Sequence, residues 1–155
     1  MTYRHIVVAH DASVARTGPP RILVVDDDRL LRASTERMLR RACAVTTAGD
    51  GAEALALFRA GARFDLVLSD MCMPRLSGQR LYETLCRELP EQAARFMFMT
   101  AGAASDEGKA FLRAVPVRVL HKPVAGGALR AAIDELLAGT PVPDFARGSG
   151  RIPVL

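Results

Sequence analysis

Cysteine is scarce in this 155-residue chain, with Cys43, Cys72 and Cys86 the whole complement. Their number is odd, no CxxC pair occurs and no histidine ligand stands near them, so neither a disulfide framework nor a zinc site is expected. Long apolar runs are missing as well. A spanning helix needs about 18 apolar residues in succession, and the N-terminal stretch Ile6–Ala9 is far too short even for the core of a secretion signal. The expectation is a soluble chain in a reducing cytoplasm, with no membrane partner. Charge of one sign hardly dominates. The net charge is +4, and residues 21–138 hold 17 Lys/Arg against 15 Asp/Glu, so that 17 − 15 leaves +2 there and +1 in each flank. The densest basic stretch (Arg29, Arg32, Arg37, Arg40, Arg41) falls in one expected helix and reads as a solvated face. With no recognition helix and no aromatic RNA-binding sheet, nucleic acid is not an expected partner.

What is present is an ordinary globular composition, 50% apolar and 25% charged, of a length that suits one domain with an adequate core. Strand-like and helix-like segments alternate along it. Arg21–Asp26 (RILVVD) is a β-branched apolar run that stops in a carboxylate cluster. Leu31, Thr35, Met38, Leu39 and Ala42 then recur at helical spacing. Ala44–Ala48 is a weaker second strand. Asp50 is an N-cap, with Glu53 placed to reach back, for a helix running to about Ala60 and ended by Gly61. Phe64–Ser69 is the third strand, closed by Asp70. Leu81, Leu85 and Leu89 stack on a third helix that Pro90 terminates. Arg95–Thr100 is the fourth strand. Ser105, Asp106 and Glu107 open a fourth helix, acids at its positive end. Val115–Leu120 is the fifth strand, and Leu129, Ile133, Leu136 and Leu137 mark a fifth helix.

Five strands alternating with five helices imply a parallel sheet covered on both faces. Short right-handed connections favour the doubly wound flavodoxin-like order 2-1-3-4-5. Ligands in such sheets sit beyond the carboxyl ends of the strands. The first strand ends in Asp26-Asp27-Asp28, the third in Asp70, the fourth in Thr100, and the fifth runs into His121-Lys122-Pro123. Clustered carboxylates repel one another, and a hard divalent cation such as Mg²⁺ removes that cost. With a lysine and a hydroxyl beside them, they describe a site for phosphoryl transfer, in which a carboxylate can be the acceptor.

The runs ILVVDDDRLLR and DLVLSDMCMPRLSG, the Thr100-Ala101 pair after FMFM, and Lys122-Pro123 resemble the receiver domains of response regulators, in that family's order and spacing across about residues 21–138. The resemblance implies a phosphoacceptor domain of a two-component or phosphorelay system. Its donor would be a histidine kinase or a histidine phosphotransfer protein, and it would signal to a downstream protein by contact. It further implies Asp70 as phosphoacceptor and direct Mg²⁺ ligand, Asp27 as direct ligand and Asp26 as a ligand through water. The Cys72 backbone carbonyl would be the third protein ligand, with Thr100 and Lys122 on the phosphoryl group and a cis bond before Pro123. Such a domain catalyses only its own phosphorylation and dephosphorylation.

Taken singly, each residue has a plainer reading. An Asp at a strand end caps or turns, and Asp28 is expected only to cap the first helix. A Thr forms strand, a Lys is solvated, and Met71, Met73 and FMFM are core. His121 points away from the site by strand alternation, and Pro74 and Gly78 shape the loop after Asp70. Two positions depart from the family pattern: Val119 stands where an aromatic residue is usual, three positions before the lysine, and Val124 stands where Phe is common. A haloacid-dehalogenase-like phosphatase is the rival from another class, meeting Asp26-x-Asp28, Thr100 and Lys122. Arg29-Leu30 and the lack of an acidic pair after Lys122 speak against it, Asp134-Glu135 falling inside the last helix. A docking-only pseudo-receiver is the third reading. Residues 1–20 end in Gly18-Pro19-Pro20 and read as an extension or linker, Tyr3–Ser13 faintly resembling the opening strand of universal stress proteins. Residues 139–155 read as a flexible Gly- and Pro-rich tail without an output domain. The resemblance suits either a single-domain regulator or the receiver of a hybrid histidine kinase.

Overall fold

The computed structural model describes residues 18–103 and 105–139. The expectations for the extension before Gly18, for Tyr3–Ser13 and for the tail after Gly139 lie outside these residues. Five strands, β1 (Arg21–Val25), β2 (Ala44–Ala48), β3 (Leu66–Ser69), β4 (Phe96–Thr100) and β5 (Arg118–His121), form one parallel sheet in the order β2-β1-β3-β4-β5. The expected doubly wound order is the one observed. The connecting helices are α1 (Arg29–Leu39), α2 (Gly51–Arg59), α3 (Gly78–Glu88), α4 (Pro90–Ala93), α5 (Asp106–Ala114) and α6 (Gly126–Leu137).

The central strands β1, β3 and β4 are buried on both faces, while the edge strands β2 and β5 are half-buried, and successive residues of a strand feed alternate layers. Leu23, Val25, Val67, Phe96 and Phe98 meet Ala54 and Phe58 of α2, Leu81, Tyr82 and Leu85 of α3 and Phe111 of α5. Ile22, Val24, Leu66, Leu68, Met97 and Met99 meet Leu39 of α1 and Leu129, Ala132 and Ile133 of α6. FMFM is therefore core, as expected, two residues to each layer. Tyr82, Phe96, Phe98 and Phe111 form edge-on and tilted ring pairs with centroids 4.9 to 6.2 Å apart, geometry worth roughly 0.5–1.5 kcal/mol per pair beyond burial.

Three local expectations change. Val115 caps α5 and Pro116 has no N–H, so ladder pairing in β5 starts only at Arg118, opposite Met97. Pro90 ends α3 and also opens the single turn α4, where its missing N–H costs nothing; buried Gln92 on that turn accepts the Phe64 N–H at 2.9 Å. In α1, Thr35 and Leu39 are buried while Leu31 and Met38 stay 44% and 37% exposed, because the latter lie seven apart along the flank of the helix.

The helix starts follow the caps. Asp28 Oδ1 accepts the N–H groups of Leu30 and Leu31, and Asp50 Oδ1 those of Ala52 and Glu53 at 2.8 and 2.9 Å. Glu53 does reach back, but to the N–H of Gly49 at 2.6 Å, one residue beyond the cap itself. Asp50 is 3% exposed. Burial opposes its ionisation, yet the N–H of Glu53, the Arg75 guanidinium and the N–H of Ala52 together outweigh it and hold the carboxyl below the usual range. A carboxyl depressed in the folded state contributes stability that is full above its unfolded value, about 3.9, and is lost as pH falls through its lower folded value. Urea denaturation of wild type and Asp50→Asn, which keeps a capping oxygen, is therefore expected to show a gap at pH 7 that closes below about pH 4. A gap of constant size down to pH 3 would show that the charge contributes nothing.

Candidate functional site

The sheet order brings the ends of β1, β3, β4 and β5 to one edge. Asp26, Asp27 and Asp70 each place a carboxylate oxygen within 4.8 Å of the others. They are also the one metal-competent cluster of His, Cys, Asp and Glu among the described residues. Asp26 is 1% exposed, Asp27 is exposed and Asp70 is partly buried. Lys122 Nζ donates to Asp26 Oδ2 at 2.8 Å and stands 3.6 Å from Asp70 Oδ2. Three carboxylates against one ammonium leave 3 − 1, two uncompensated negative charges, in one pocket. A hard divalent cation matches both that charge and an all-oxygen donor set.

The protonation chemistry follows the same layout. Asp70 is pushed above the usual carboxylate range by burial first, then by the charges of Asp26 and Asp27, with Lys122 and the Met71 N–H pulling the other way. Burial of Lys122 favours its neutral form, but the hydrogen bond it donates to Asp26 and the charges of Asp70 and Asp26 overcome it, and its pKa is raised. The ammonium is thus a fixed positive charge.

Asp26, Asp70, Thr100 and Lys122 are each tied to backbone. The Asp28 N–H donates to Asp26 Oδ1 at 2.9 Å, and the Met71 N–H to Asp70 Oδ1 at 2.8 Å. The Lys122 N–H donates to the Thr100 carbonyl at 2.8 Å, carrying the β4–β5 ladder past the strand end to the cis Lys122–Pro123 bond. Thr100 is 1% exposed, and its hydroxyl both accepts the Gly102 N–H and donates to the Gly102 carbonyl, each at 3.2 Å. Gly78 allows α3 to start against this edge, since a Cβ there would stand 1.9 Å from the Asp70 carbonyl oxygen. Cys72 is exposed, and with Asp27, Met71 and Met73 it borders an open cleft of about 500 Å³.

The expected residues therefore share one edge, except that the Thr100 hydroxyl is turned into its own loop. Asp28 is the cap it was expected to be, and His121 is exposed. Asp134 and Glu135 sit on α6, and Glu135 pairs with Arg118 at 2.5 Å, so they do not supply the acidic pair a dehalogenase-like site requires. Sequence reasoning missed Arg32, whose Nη1 donates to the Asp26 carbonyl at 2.5 Å, and the ion pair of Arg75 with Asp50. Both come from arginines that pattern alone assigns to solvent.

Residues 22–134 match the family model described as the response regulator receiver domain. The chain belongs to the response-regulator receiver family. A curated relative, the transcriptional activator protein PfeR of Pseudomonas aeruginosa, is 41% identical over 120 residues, which are 76% of this chain and 38% of that protein. The chain thus spans well under half the length of that relative. A CheY-like receiver domain from Methanospirillum hungatei superposes with a TM-score of 0.70 at 30% identity, covering 79% of this chain and 97% of the other. The response regulator TrrA of Thermotoga maritima, solved in complex with Mg²⁺ and BeF, superposes at 0.65 with 25% identity, covering 76% of this chain and 98% of that one.

Asp26 and Asp27 of the receiver edge differ in burial, and so will their variants. Asp27→Ala removes an exposed charge from a repulsive cluster and is expected to leave metal-free stability unchanged or slightly raised. Asp26→Ala strips Lys122 of its nearer partner in a buried setting, at a cost of about 2–4 kcal/mol. Urea denaturation in excess chelator measures both; equal losses would mean that Lys122 does not depend on Asp26.

Proposed function

We propose that this receiver domain, residues 21–138, accepts a phosphoryl group on Asp70 from the phosphohistidine of a histidine kinase or phosphotransfer protein, in the cytoplasm. The observation that carries the reading is the convergence of Asp26, Asp27, Asp70 and Lys122 at the carboxyl edge of the sheet. An Asp70 carboxylate oxygen attacks phosphorus, the P–N bond to the donor imidazole breaks, and the leaving nitrogen keeps the electron pair. Lys122 faces the same oxygens and compensates charge as they develop.

The three-carboxylate donor set fits Mg²⁺, with Asp27, Asp70 and the Cys72 carbonyl as direct ligands and Asp26 through water. When bound, the ion would neutralise the phosphoryl oxygens. Thr100 would exchange its Gly102 hydrogen bonds for one to the phosphoryl group, drawing the β4–α5 loop inward. The likeness to TrrA, which was solved with Mg²⁺ and BeF, supports this assignment. On this reading the chain catalyses only the gain and loss of its own phosphoryl group and acts on a downstream protein by contact.

Incubation with acetyl phosphate and Mg²⁺ is expected to add one phosphoryl group by intact mass. Chelation or Asp70→Asn should abolish the adduct, while Asp26→Asn slows its formation and leaves it on Asp70. An adduct that survives Asp70→Asn, or that disappears from the Asp70 peptide in Asp26→Asn, would assign the nucleophile elsewhere.

A further inference from the structure

The loop between β3 and α3 carries the one backbone group of the proposed centre, the Cys72 carbonyl, and it is anchored at several points. The Gly78 N–H donates to the Met71 carbonyl at 2.9 Å, and the Gly51 N–H of α2 donates to the Leu76 carbonyl at 3.0 Å. Gly51 packs so closely that a Cβ there would stand 2.5 Å from the Leu76 carbonyl oxygen. Next to Leu76 is Arg75, the one non-glycine residue with positive φ among the described residues, at 62°. Left-handed backbone is unfavourable for such a residue and persists where its surroundings hold it. Its guanidinium lies on Asp50 Oδ2.

The two oxygens of Asp50 divide their work. Oδ1 takes the N–H groups of Ala52 and Glu53 and starts α2, whereas Oδ2 faces Arg75. The Arg75 side chain is 69% exposed and that of Asp50 is 4% exposed, so a solvated arm is hooked onto a buried, fixed anion. α2 contributes no group to the acid cluster, yet through this pair and through Gly51 it grips the loop three and four residues after Cys72.

We propose that Arg75 and Asp50 act as positioning residues, a latch that fixes the β3–α3 loop so that the Cys72 carbonyl stands ready to complete the cation site. The proposal deepens the phosphoacceptor reading above and rests on it. Mg²⁺ tolerates little departure from octahedral geometry, so a loop that wanders lowers its affinity even with every carboxylate in place. Loss of a supporting contact around a metal site costs roughly 10–100-fold in affinity. With the Gly51 and Gly78 anchors still present, the loss falls below that range, at about three- to tenfold.

The test uses the full chain with Mg²⁺ alone as probe, titrated by calorimetry and by amide shifts of Cys72 and Met73. Arg75→Gly removes the arm and suits the left-handed φ, so the fold is kept; Asp50→Asn keeps an oxygen for the helix cap and loses the anion. Long-range charge alone would move these two in opposite directions, Arg75→Gly towards tighter binding and Asp50→Asn towards weaker. The latch weakens both, by about three- to tenfold, and the double variant is then no worse than either single one. Arg75→Lys, which keeps the charge, restores part of the affinity. Labelling by acetyl phosphate should need more Mg²⁺ in both variants yet reach the wild-type rate at saturating Mg²⁺, which a merely damaged fold would not do. Opposite shifts, unchanged affinity, or a lowered saturating rate in Arg75→Gly would overturn the latch while wild type still binds Mg²⁺ and is labelled. Failure of wild type itself would overturn the phosphoacceptor reading, and the latch with it.

Discussion

The contact between Lys122 Nζ and Asp26 Oδ2, 2.8 Å long, joins groups 96 residues apart in the chain. Both are largely buried, and neither tolerates burial alone. Unit charges about 4 Å apart interact by roughly 4 kcal/mol at an effective dielectric near 20. Asp27 and Asp70 add repulsion, that of exposed Asp27 damped by solvent, so a single ammonium leaves the edge with excess negative charge. Burial first and that excess second make Asp70 harder to ionise than an ordinary carboxylate, and the excess gives a divalent cation a use here. The lysine also chooses. It stands nearer to Asp26 than to Asp70, which leaves the proposed nucleophile less fully paired than its neighbour.

The sheet supplies what these side chains cannot. A parallel ladder aligns strand ends in one direction, and the register Val25↔Ser69 sets the β1 and β3 ends side by side. One further bond, from the Asp70 N–H to the Val25 carbonyl, carries that alignment to the carboxylates themselves. The same device on the other flank, from the Lys122 N–H to the Thr100 carbonyl, brings in the lysine. Asp26, Asp70 and Lys122 therefore sit one residue beyond the ordered ladder, and Asp27 two. There the backbone is still fixed by hydrogen bonds while the Asp26, Asp70 and Lys122 side chains meet one another.

Much of this was legible because it follows from period and punctuation. RILVVD and FMFMT read as buried strands, Asp28, Asp50 and Ser105 as caps, and the carboxylates as strand-end groups, each through one local rule that the structure obeys. What escaped depends on the third dimension. Arg32 and Arg75 look like solvated arginines until folding sets a backbone carbonyl beside one and a buried carboxylate beside the other. The stripe on α1 was read too broadly because periodicity gives the direction of a face and not its width. Gly78 was expected to shape the loop, but that it must admit the Asp70 carbonyl is visible only from the distance.

The departure at Val119 bears on how a change at Asp70 could travel. Val119 is half-buried, lies opposite Phe98 in the ladder and packs into the layer that holds Phe98 and Phe111. A β-branched side chain in a strand has few rotamers and no ring to swing between two places. The rings nearby offer no substitute, since Phe98 is fully buried and locked edge-on against Phe111 and Tyr82. Side-chain exchange between β4 and β5 is therefore closed to this sequence. What remains is backbone: Thr100 is bonded to Gly102 on one side and to the Lys122 N–H on the other. Any pull on the Thr100 hydroxyl is felt first by the β4–α5 loop, and any pull on the Lys122 ammonium by the β5–α6 turn. On the proposed phosphoacceptor reading, the route this geometry leaves to a signal is a displacement of those two connections.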